Sequence, residues 1–425
     1  MKTTFINRLK STFVRLSAVQ RIERAKLILL AVLIVSGIVL GYFTGTFSDI
    51  LQFEAEPVPT LNVAGKFAPA AYPYAILISS AAGEHRGAIY NADDLSNTWN
   101  AASLALGEAL GTAGNAISVR EEEFRAAVGG EGIVFAYRFP IQLEVLLNWL
   151  NVNGTVSFEE ATNMICLSAS GGFANSAENY TLYYQTDDGR FFKRDGVSSV
   201  NGYANALFAL SLPSVYFAFE DPDCHLINDY AILPDNSPKL NTLNVKIPQI
   251  PKAMVREILS ELGMNPYNSS DYKDGDATVY AESGTTLKIY DYGLIEYTTK
   301  SEGYISLSAA ESINLAYSVL TKLAESNELQ LSECNVTGSR YEMKFDYIHN
   351  GMAVRPGASA TVVVDGGRIR SLSVTLREYE TTPDAGILLP MRQALAAAGA
   401  DAYSMEVIYE EQGNVAVPVW IAQKK

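Results

Sequence analysis

One uninterrupted apolar segment, residues 27–47, constrains what this chain can fold into more than any other feature. It reads LILLAVLIVSGIVLGYFTGTF and contains no charged residue. A helix of this length measures about 30 Å, the thickness of a bilayer's hydrocarbon core. In lipid, a single segment satisfies all of its backbone hydrogen-bonding groups only as a helix. The sequence therefore predicts one transmembrane helix, with nearly all of the chain on one side of a membrane.

The charges before this segment predict its orientation. Residues 1–26 hold seven of the 32 basic residues of the chain and one of its 47 acidic residues. Basic flanks stay in the cytoplasm, so we expect a cytoplasmic N-terminus and extracytoplasmic domains after the span. A cleaved signal peptide is the alternative. The long apolar run, with no convincing A-x-A site after it, favours an uncleaved signal anchor in the cell membrane.

Small residues form a patch within the predicted membrane helix. Gly37 and Gly41 make a GxxxG pattern, and Ser36 precedes them. Such patterns let two helices approach closely, although they also arise by chance. We therefore treat Gly37 and Gly41 as candidate residues for contact with another membrane helix.

The charge balance limits the partners of the long C-terminal part. The whole chain has a net charge of −15, and the part after residue 26 has a net charge of −21. A surface this acidic repels phosphate backbones, so we expect no nucleic-acid binding. With 48% apolar residues the chain can build a folded core, and its three cysteines do not form a disulfide framework.

The patterns after the span predict an α+β fold, with helices packed on antiparallel sheets. Residues 48–73 contain four prolines and resemble a juxtamembrane linker. Hydrophobic periodicity then divides the chain into an N-terminal region, residues 74–245, and a C-terminal region, residues 246–425. Short helices alternate with hairpins in both regions, which is typical of α+β rather than parallel α/β proteins.

Several individual elements have clear sequence signals. A helix with Leu95, Trp99 and Leu106 on one face is expected to begin at Asp93 or Asp94. Ser308 and Glu311 form a capping box, and Asn350-Gly351 predicts a hairpin turn. The proline-punctuated residues 233–251 suggest a crossing between two lobes.

No residue pattern predicts catalysis, a cofactor or a metal site. The three histidines are scattered, and no HExxH, GxSxG, SxxK or Walker sequence is present. Residues 221–225 (DPDCH) include two carboxylates, a thiol and an imidazole, all possible metal ligands, but they read as a solvated loop after a strand. Residues 271–282 begin and end like a calcium loop, yet Lys273, Gly275 and Asp276 occupy positions that break the pattern.

Tyrosine is abundant in the predicted strands and has two interpretations. An exposed tyrosine face could bind peptide or glycan, whereas tyrosine is also an ordinary strand residue with one wet end. The second interpretation is favoured. The tyrosines concerned are Tyr183, Tyr184, Tyr280, Tyr290, Tyr292, Tyr297 and Tyr347.

Three segments resemble a known family. Residues 341–377 run strand, Asn-Gly turn, strand, Asp-Gly turn, strand, and residues 415–421 (VAVPVWI) match an l-x-P-x-W-x-I ending. Residues 134–150, with Phe139-Pro140, are similar to the family's N-terminal domain. Together with the basic tail and single anchor, these segments resemble the YycH/YycI regulators. Those are bacterial membrane proteins that adjust an essential cell-wall sensor kinase of the WalK type.

The resemblance implies a non-enzymatic regulator of a two-component system. It also implies two partners, a sensor histidine kinase and a sister regulatory protein. Two other hypotheses stay open. One is an anchored cell-envelope enzyme with an unrecognised site, and the other is an extracytoplasmic module that binds glycan or peptide.

Overall fold

The computed structural model confirms an α+β architecture rich in antiparallel sheet. It describes residues 72–152, 161–169, 179–197, 207, 209–267, 269–301, 303–323, 329–355 and 360–424, together with Lys26 and Ser36. Two sheets form the body of the protein, and six α-helices have both ends within the described residues.

The first sheet contains nine strands, all from the N-terminal region, residues 74–245. Its order is β3-β7-β6-β5-β4-β1-β2-β8-β9, and every neighbouring pair is antiparallel. The strands are β1 (Ala75–Ser79), β2 (His85–Ala88), β3 (Ile117–Val119), β4 (Gly132–Gln142), β5 (Ala161–Ala169), β6 (Asn179–Thr186), β7 (Phe191–Val197), β8 (Ser214–Phe217) and β9 (Ile232–Pro234).

Three helices accompany this sheet: α1 (Ala92–Thr112), α2 (Glu121–Val128) and α3 (Leu143–Trp149). The apolar face predicted for α1 is confirmed, because Leu95, Trp99 and Leu106 are buried. The predicted cap was wrong. Asn91 begins the helix, and its side chain accepts hydrogen bonds from the backbone N–H groups of Asp93 and Asp94. The two aspartates lie in the first turn instead, where the helix dipole stabilises negative charge.

The second sheet contains thirteen strands from the C-terminal half. Its order is β11-β12-β13-β14-β19-β18-β16-β17-β21-β22-β10-β20, with β15 paired to β16 beside this path. The strands are β10 (Asn241–Lys246), β11 (Ser270–Asp274), β12 (Ala277–Glu282), β13 (Thr285–Tyr290), β14 (Leu294–Thr299), β15 (Leu329–Thr337), β16 (Arg340–His349), β17 (Met352–Arg355), β18 (Ala360–Asp365), β19 (Arg368–Thr375), β20 (Glu378–Ala385), β21 (Ser404–Gln412) and β22 (Val415–Gln423).

One of these strands contradicts a sequence prediction. Residues 233–251 are not simply a crossing, since β10 lies within them and pairs with both β20 and β22. β10 is short and polar and depends on pairing with distant strands, so its own periodicity is weak. The strand expected near residues 277–281 is confirmed as β12, which forms a hairpin with β11.

Three further helices belong to the second half: α4 (Lys252–Glu261), α5 (Ala309–Leu323) and α6 (Met391–Ala398). The capping box of α5 is confirmed. Ser308 Oγ accepts from the Glu311 backbone N–H at 3.3 Å, and the Glu311 carboxylate accepts from the Ser308 N–H at 2.8 Å. The predicted Asn350-Gly351 turn is also confirmed, with both residues at positive φ.

The two sheets pack together within one compact unit, residues 63–425. A large hydrophobic cluster includes buried residues of both sheets. A smaller cluster joins the β8–β9 region of the first sheet to α6 and β21 of the second. Whether the regions 74–245 and 246–425 are separate folding domains stays a prediction.

No helix within the described residues is long and apolar enough to cross a lipid bilayer. The predicted span, residues 27–47, lies outside those residues except for Ser36. Gly37 and Gly41 therefore remain predictions, as do the cytoplasmic tail and nearly all of the linker.

Candidate functional site

The two sheets meet around an irregular segment of β4. Ala136 pairs with Met164 of β5, but the next pair is Ile141 with Thr162, so residues 137–140 bulge out of the ladder. A bulge bends its strand and redirects side chains. Here the bulge directs the Arg138 side chain towards the second sheet.

Arg138 binds three groups at this junction. One guanidinium nitrogen donates to the backbone oxygen of Gly351 at 2.8 Å. Its Nε lies 3.7 Å from the Glu406 carboxylate, and each of these two side chains is only 12% exposed. The guanidinium also lies 5.4 Å from the ring centre of Tyr74, within cation–π range. One arginine of the first sheet thus connects a turn and a strand of the second.

Tyr90 makes a second buried connection. Its backbone has φ +60°, a left-handed conformation that is uncommon for a bulky residue and costs energy. Its hydroxyl oxygen accepts from the Val407 backbone N–H at 3.3 Å, and its ring meets Trp420 edge-on at 6.4 Å. Burial raises the pKa of Tyr90, and that of Tyr74, so both phenols stay protonated at neutral pH.

Further polar contacts join the two halves of the fold on either side of Arg138 and Tyr90. Trp149 Nε1 donates to Asn314 Oδ1 at 3.3 Å, which ties α3 to α5. The backbone N–H groups of Ile227 and Asn228 donate to the oxygens of Ala402 and Tyr403 at 3.0 and 2.8 Å. These bonds hold the two sheets in one relative orientation.

A narrow crevice runs beside Arg138. Its volume is about 10 Å³, room for roughly one water molecule. The Tyr137 hydroxyl and Arg138 Nε are buried beside it and have no hydrogen-bond partner within the described residues. This geometry suits an ordered water and not a larger ligand.

The acidic loop 221–225 lines a wider cleft opposite α6, with a volume of about 330 Å³. Arg392 of α6 lies 3.5 Å from the Asp221 carboxylate and 3.8 Å from that of Asp223. Burial raises the pKa of the Cys224 thiol, which makes it a poorer metal ligand at neutral pH. Within the described ranges, no three histidine, cysteine or acidic side chains converge on a possible metal position.

The fold also assembles a constellation that the sequence did not reveal. Ser79 Oγ lies 2.6 Å from His85 Nδ1, and His85 Nε2 lies 2.9 Å from the Glu220 carboxylate. These are the residue types of a hydrolytic triad. However, Ser79 and His85 are buried, and they pair across β1 and β2, so a substrate has no approach to the hydroxyl. The arrangement satisfies buried polar groups and fastens Glu220 to the sheet.

The strand tyrosines divide between the core and the surface. Tyr184, Tyr297 and Tyr347 are buried, as the favoured interpretation requires. Tyr290 and Tyr292 instead lie together, with ring centres 5.2 Å apart, and Tyr292 is exposed. The strand pattern alone did not separate the buried tyrosines from the exposed ones, and peptide or glycan binding by Tyr290 and Tyr292 stays a prediction.

The layered sheets, the bulged junction and the shared core define an α+β fold of the YycH type. The solved structure of YycH from Bacillus subtilis superposes with a TM-score of 0.56 over 85% of this chain and 96% of that one, at 12% sequence identity. A C-terminal domain of YpeB from Bacillus megaterium matches over 41% of this chain and 85% of its own, at 15% identity and a TM-score of only 0.29.

No family model and no curated protein sequence matches the chain. The predicted resemblance to YycH is thus confirmed as a likeness of fold. Of the residues that carried the resemblance, Phe139-Pro140 lie in the junction bulge and Trp420 packs against Tyr90.

Proposed function

We propose that this protein is a non-enzymatic, membrane-anchored regulator of a cell-envelope sensor histidine kinase. The observation that supports it best is the YycH-type fold across nearly all of the exterior. The sequence resemblance to YycH/YycI regulators supplies the kinase and a sister regulatory protein as partners. A proposed anchor at residues 27–47 places the exterior domains outside the cell membrane.

The proposed action is a population shift in the kinase. A regulator of this kind acts by binding one state of its partner more tightly than the other. Contacts would lie in the membrane, at Gly37 and Gly41, and outside it, on the rigidly joined sheets.

In-cell crosslinking followed by capture of the full-length protein tests this proposal. We expect a sensor histidine kinase among the captured proteins. Gly37→Leu with Gly41→Leu should reduce its recovery at least fivefold, because bulky side chains prevent close helix approach. Ala31→Leu is the control, since it adds a leucine about 120° from Gly37 and about 80° from Gly41 around a helix.

Two results would contradict the proposal. Capture without any kinase from the wild type would remove the regulator hypothesis. Equal loss in the glycine variant and the Ala31→Leu control would remove the assigned contact residues. Protease accessibility of the exterior in intact cells shows whether every variant reaches the membrane in the proposed orientation.

A further inference from the structure

The outer face of the second sheet carries a cluster of exposed apolar side chains at its β11–β14 end. We call it the tyrosine patch, and it consists of Tyr272, Tyr290, Tyr292 and Ile247. Tyr272 is 54% exposed, while Tyr292 and Ile247 are each 47% exposed. Tyr290 is half-buried. Scattered apolar residues are normal on a surface, but several of them gathered on one face indicate an interaction site.

Strand register places two of these tyrosines on one face. Tyr272 pairs with Val279, which in turn pairs with Lys288, and Ala277 pairs with Tyr290 two residues further along. Directly paired residues share a face, as do residues two apart on one strand. Tyr272 and Tyr290 therefore project on the same side, with Val279 and Ala277 between them.

Val279 and Ala277 lie beneath the patch rather than in the protein core. Both are almost completely buried, yet neither belongs to the two hydrophobic clusters that form the cores. Leu287 and Tyr297 point to the opposite face and do belong to the main core. On this outer face, Lys288 lies beside Val279 and Asp274 lies beside Ala277, so the Lys288–Asp274 pair crosses between the two tyrosines.

The turn after β13 positions the other two residues of the patch, Tyr292 and Ile247. Gly293 has φ +89°, and a Cβ there would lie 3.0 Å from both Ile247 Cγ2 and the Leu376 oxygen. This close approach holds the turn against Ile247. Tyr292, next to the glycine, contacts Tyr290 at a ring separation of 5.2 Å. The patch is therefore built on paired strands and a glycine-dependent contact.

Acidic side chains surround the tyrosines. The carboxylates are Asp274, Asp276, Asp291 and Glu296, and the bases are Lys273, Lys288 and Arg377. Arg377 donates to the Tyr292 backbone oxygen at 3.3 Å and is neutralised by Glu411, which lies 3.3 Å from its Nε. Lys273 pairs with Asp291 at 3.2 Å, and Lys288 lies 3.9 Å from Asp274. Glu296 accepts a hydrogen bond from the Tyr290 hydroxyl at 2.9 Å. Within the described part of the chain, Asp276 and Glu296 have no basic partner, so the patch carries surplus negative charge.

We propose that the tyrosine patch docks a lysine- or arginine-bearing segment of a partner protein. Tyrosine faces attract a cation within about 6 Å of the ring, and nearby carboxylates strengthen that attraction. Tyrosine and arginine are also the residues that dominate protein interfaces. The surplus negative charge disfavours acidic wall polymers. This proposal goes beyond the kinase proposal and stands whatever the partner is.

The first test uses the full-length protein in detergent micelles with a fluorescent hexa-arginine peptide as probe. Tyr272→Ser with Tyr292→Ser should weaken binding about tenfold, the loss of two cation–π contacts. Tyr267→Ser with Tyr304→Ser is the matched control, since these tyrosines are 86% and 90% exposed outside the patch. The control should change the affinity less than twofold. Unchanged unfolding midpoints confirm that both variants fold.

A second variant tests the charge. Glu296→Gln with Asp276→Asn should weaken hexa-arginine binding about threefold at 50 mM salt and less at 300 mM, because salt screens exposed charges. Equal losses in the patch and control variants would overturn the proposal. That result would mean that the peptide merely follows the net charge of the protein.

A third test identifies, in cells, the chemical class of the segment that docks on the patch. A photo-crosslinking benzoylphenylalanine at position 292 should capture peptides that contain lysine or arginine at the attachment site. The same group at position 304 should not capture them. Attachment at position 292 to acidic peptides, or chitohexaose binding that the patch variant abolishes, would overturn the proposal in favour of another ligand class.

Discussion

Two arginines connect the two halves of the fold through carboxylates, Arg138 of β4 and Arg392 of α6, and they differ mainly in burial. Arg138 lies 3.7 Å from Glu406, and Arg392 lies 3.5 Å from Asp221, so the distances are nearly equal. In the first pair both side chains are 12% exposed. In the second the arginine is 73% exposed and the aspartate 10%.

This difference decides how much each contact constrains the two sheets. Removing one member of a buried pair leaves an uncompensated charge and costs several kcal/mol, whereas exposed pairs contribute about 0–1 kcal/mol. Arg138 also donates to Gly351 and contacts the Tyr74 ring, while water can replace the partners of Arg392. We infer that the Arg138 pair constrains the relative orientation of the sheets more than the Arg392 pair does. On the Arg392 side, the backbone hydrogen bonds of Ile227 and Asn228 make the stronger connection.

The largest expected effect follows from Arg138→Met. Methionine keeps much of the side-chain volume but leaves Glu406 buried without a counter-charge, so the free energy of unfolding should fall by about 3 kcal/mol. Urea unfolding of the full-length protein in detergent measures it. Arg392→Met is the matched control, and an equal loss in both variants would contradict the comparison.

Tyr90→Phe should have the next largest effect. It removes the hydroxyl that accepts from the Val407 N–H and leaves that buried donor unsatisfied. We expect a loss of about 1–2 kcal/mol in the free energy of unfolding, with the ring contact to Trp420 retained. Tyr304→Phe, at a fully exposed tyrosine, should change stability by less than about 0.5 kcal/mol. A Tyr90→Phe variant as stable as wild type would mean that water satisfies Val407.

Local signals in the sequence predicted much of the fold but little of the junction. The Asn350-Gly351 turn and the Ser308–Glu311 box depend on residues close together in the chain, so they could be predicted. The contact between Arg138 and Glu406 depends on a bulge and on residues 268 positions apart. Hydrophobic periodicity describes one segment at a time, so it cannot indicate a contact between residues this far apart in the chain. Asn91 was missed because three possible capping residues stand close together, and only the geometry shows which one precedes the helix.

Local sequence patterns also do not predict which individual tyrosines and histidines are buried. Tyr347 and Tyr272 both lie in alternating strands, yet the first is buried beneath helix and sheet and the second is exposed on an edge strand. His85 finds Glu220 only because β2 pairs with β8. The packing of sheets and helices against each other decides which of these side chains are buried, and that packing depends on the whole fold.

A pH titration sharpens the comparison on the Arg138 side. His349 precedes the Asn350-Gly351 turn that Arg138 binds, and burial lowers its pKa below the usual 6.5. The unfolded chain therefore binds more protons than the folded protein below pH 6.5, so stability falls as pH decreases from 6.5 towards the lowered pKa. His349→Gln should remove this part of the pH dependence. Parallel stability curves for the two proteins between pH 7 and 5 would contradict it.

The smallest effect is expected at the exposed pair itself. Arg392→Met and Asp221→Asn should each lower the free energy of unfolding. Their double-mutant cycle should give a coupling energy between the two side chains of about 0.5 kcal/mol or less. Because Asp221 is itself mostly buried, its single substitution should cost more than that of Arg392. The coupling should fall further in 0.5 M salt, since the arginine is exposed to counterions. A coupling above about 2 kcal/mol would show that burial of one partner suffices to make a pair strong. In that case the Arg392 pair would constrain the sheets as firmly as the Arg138 pair.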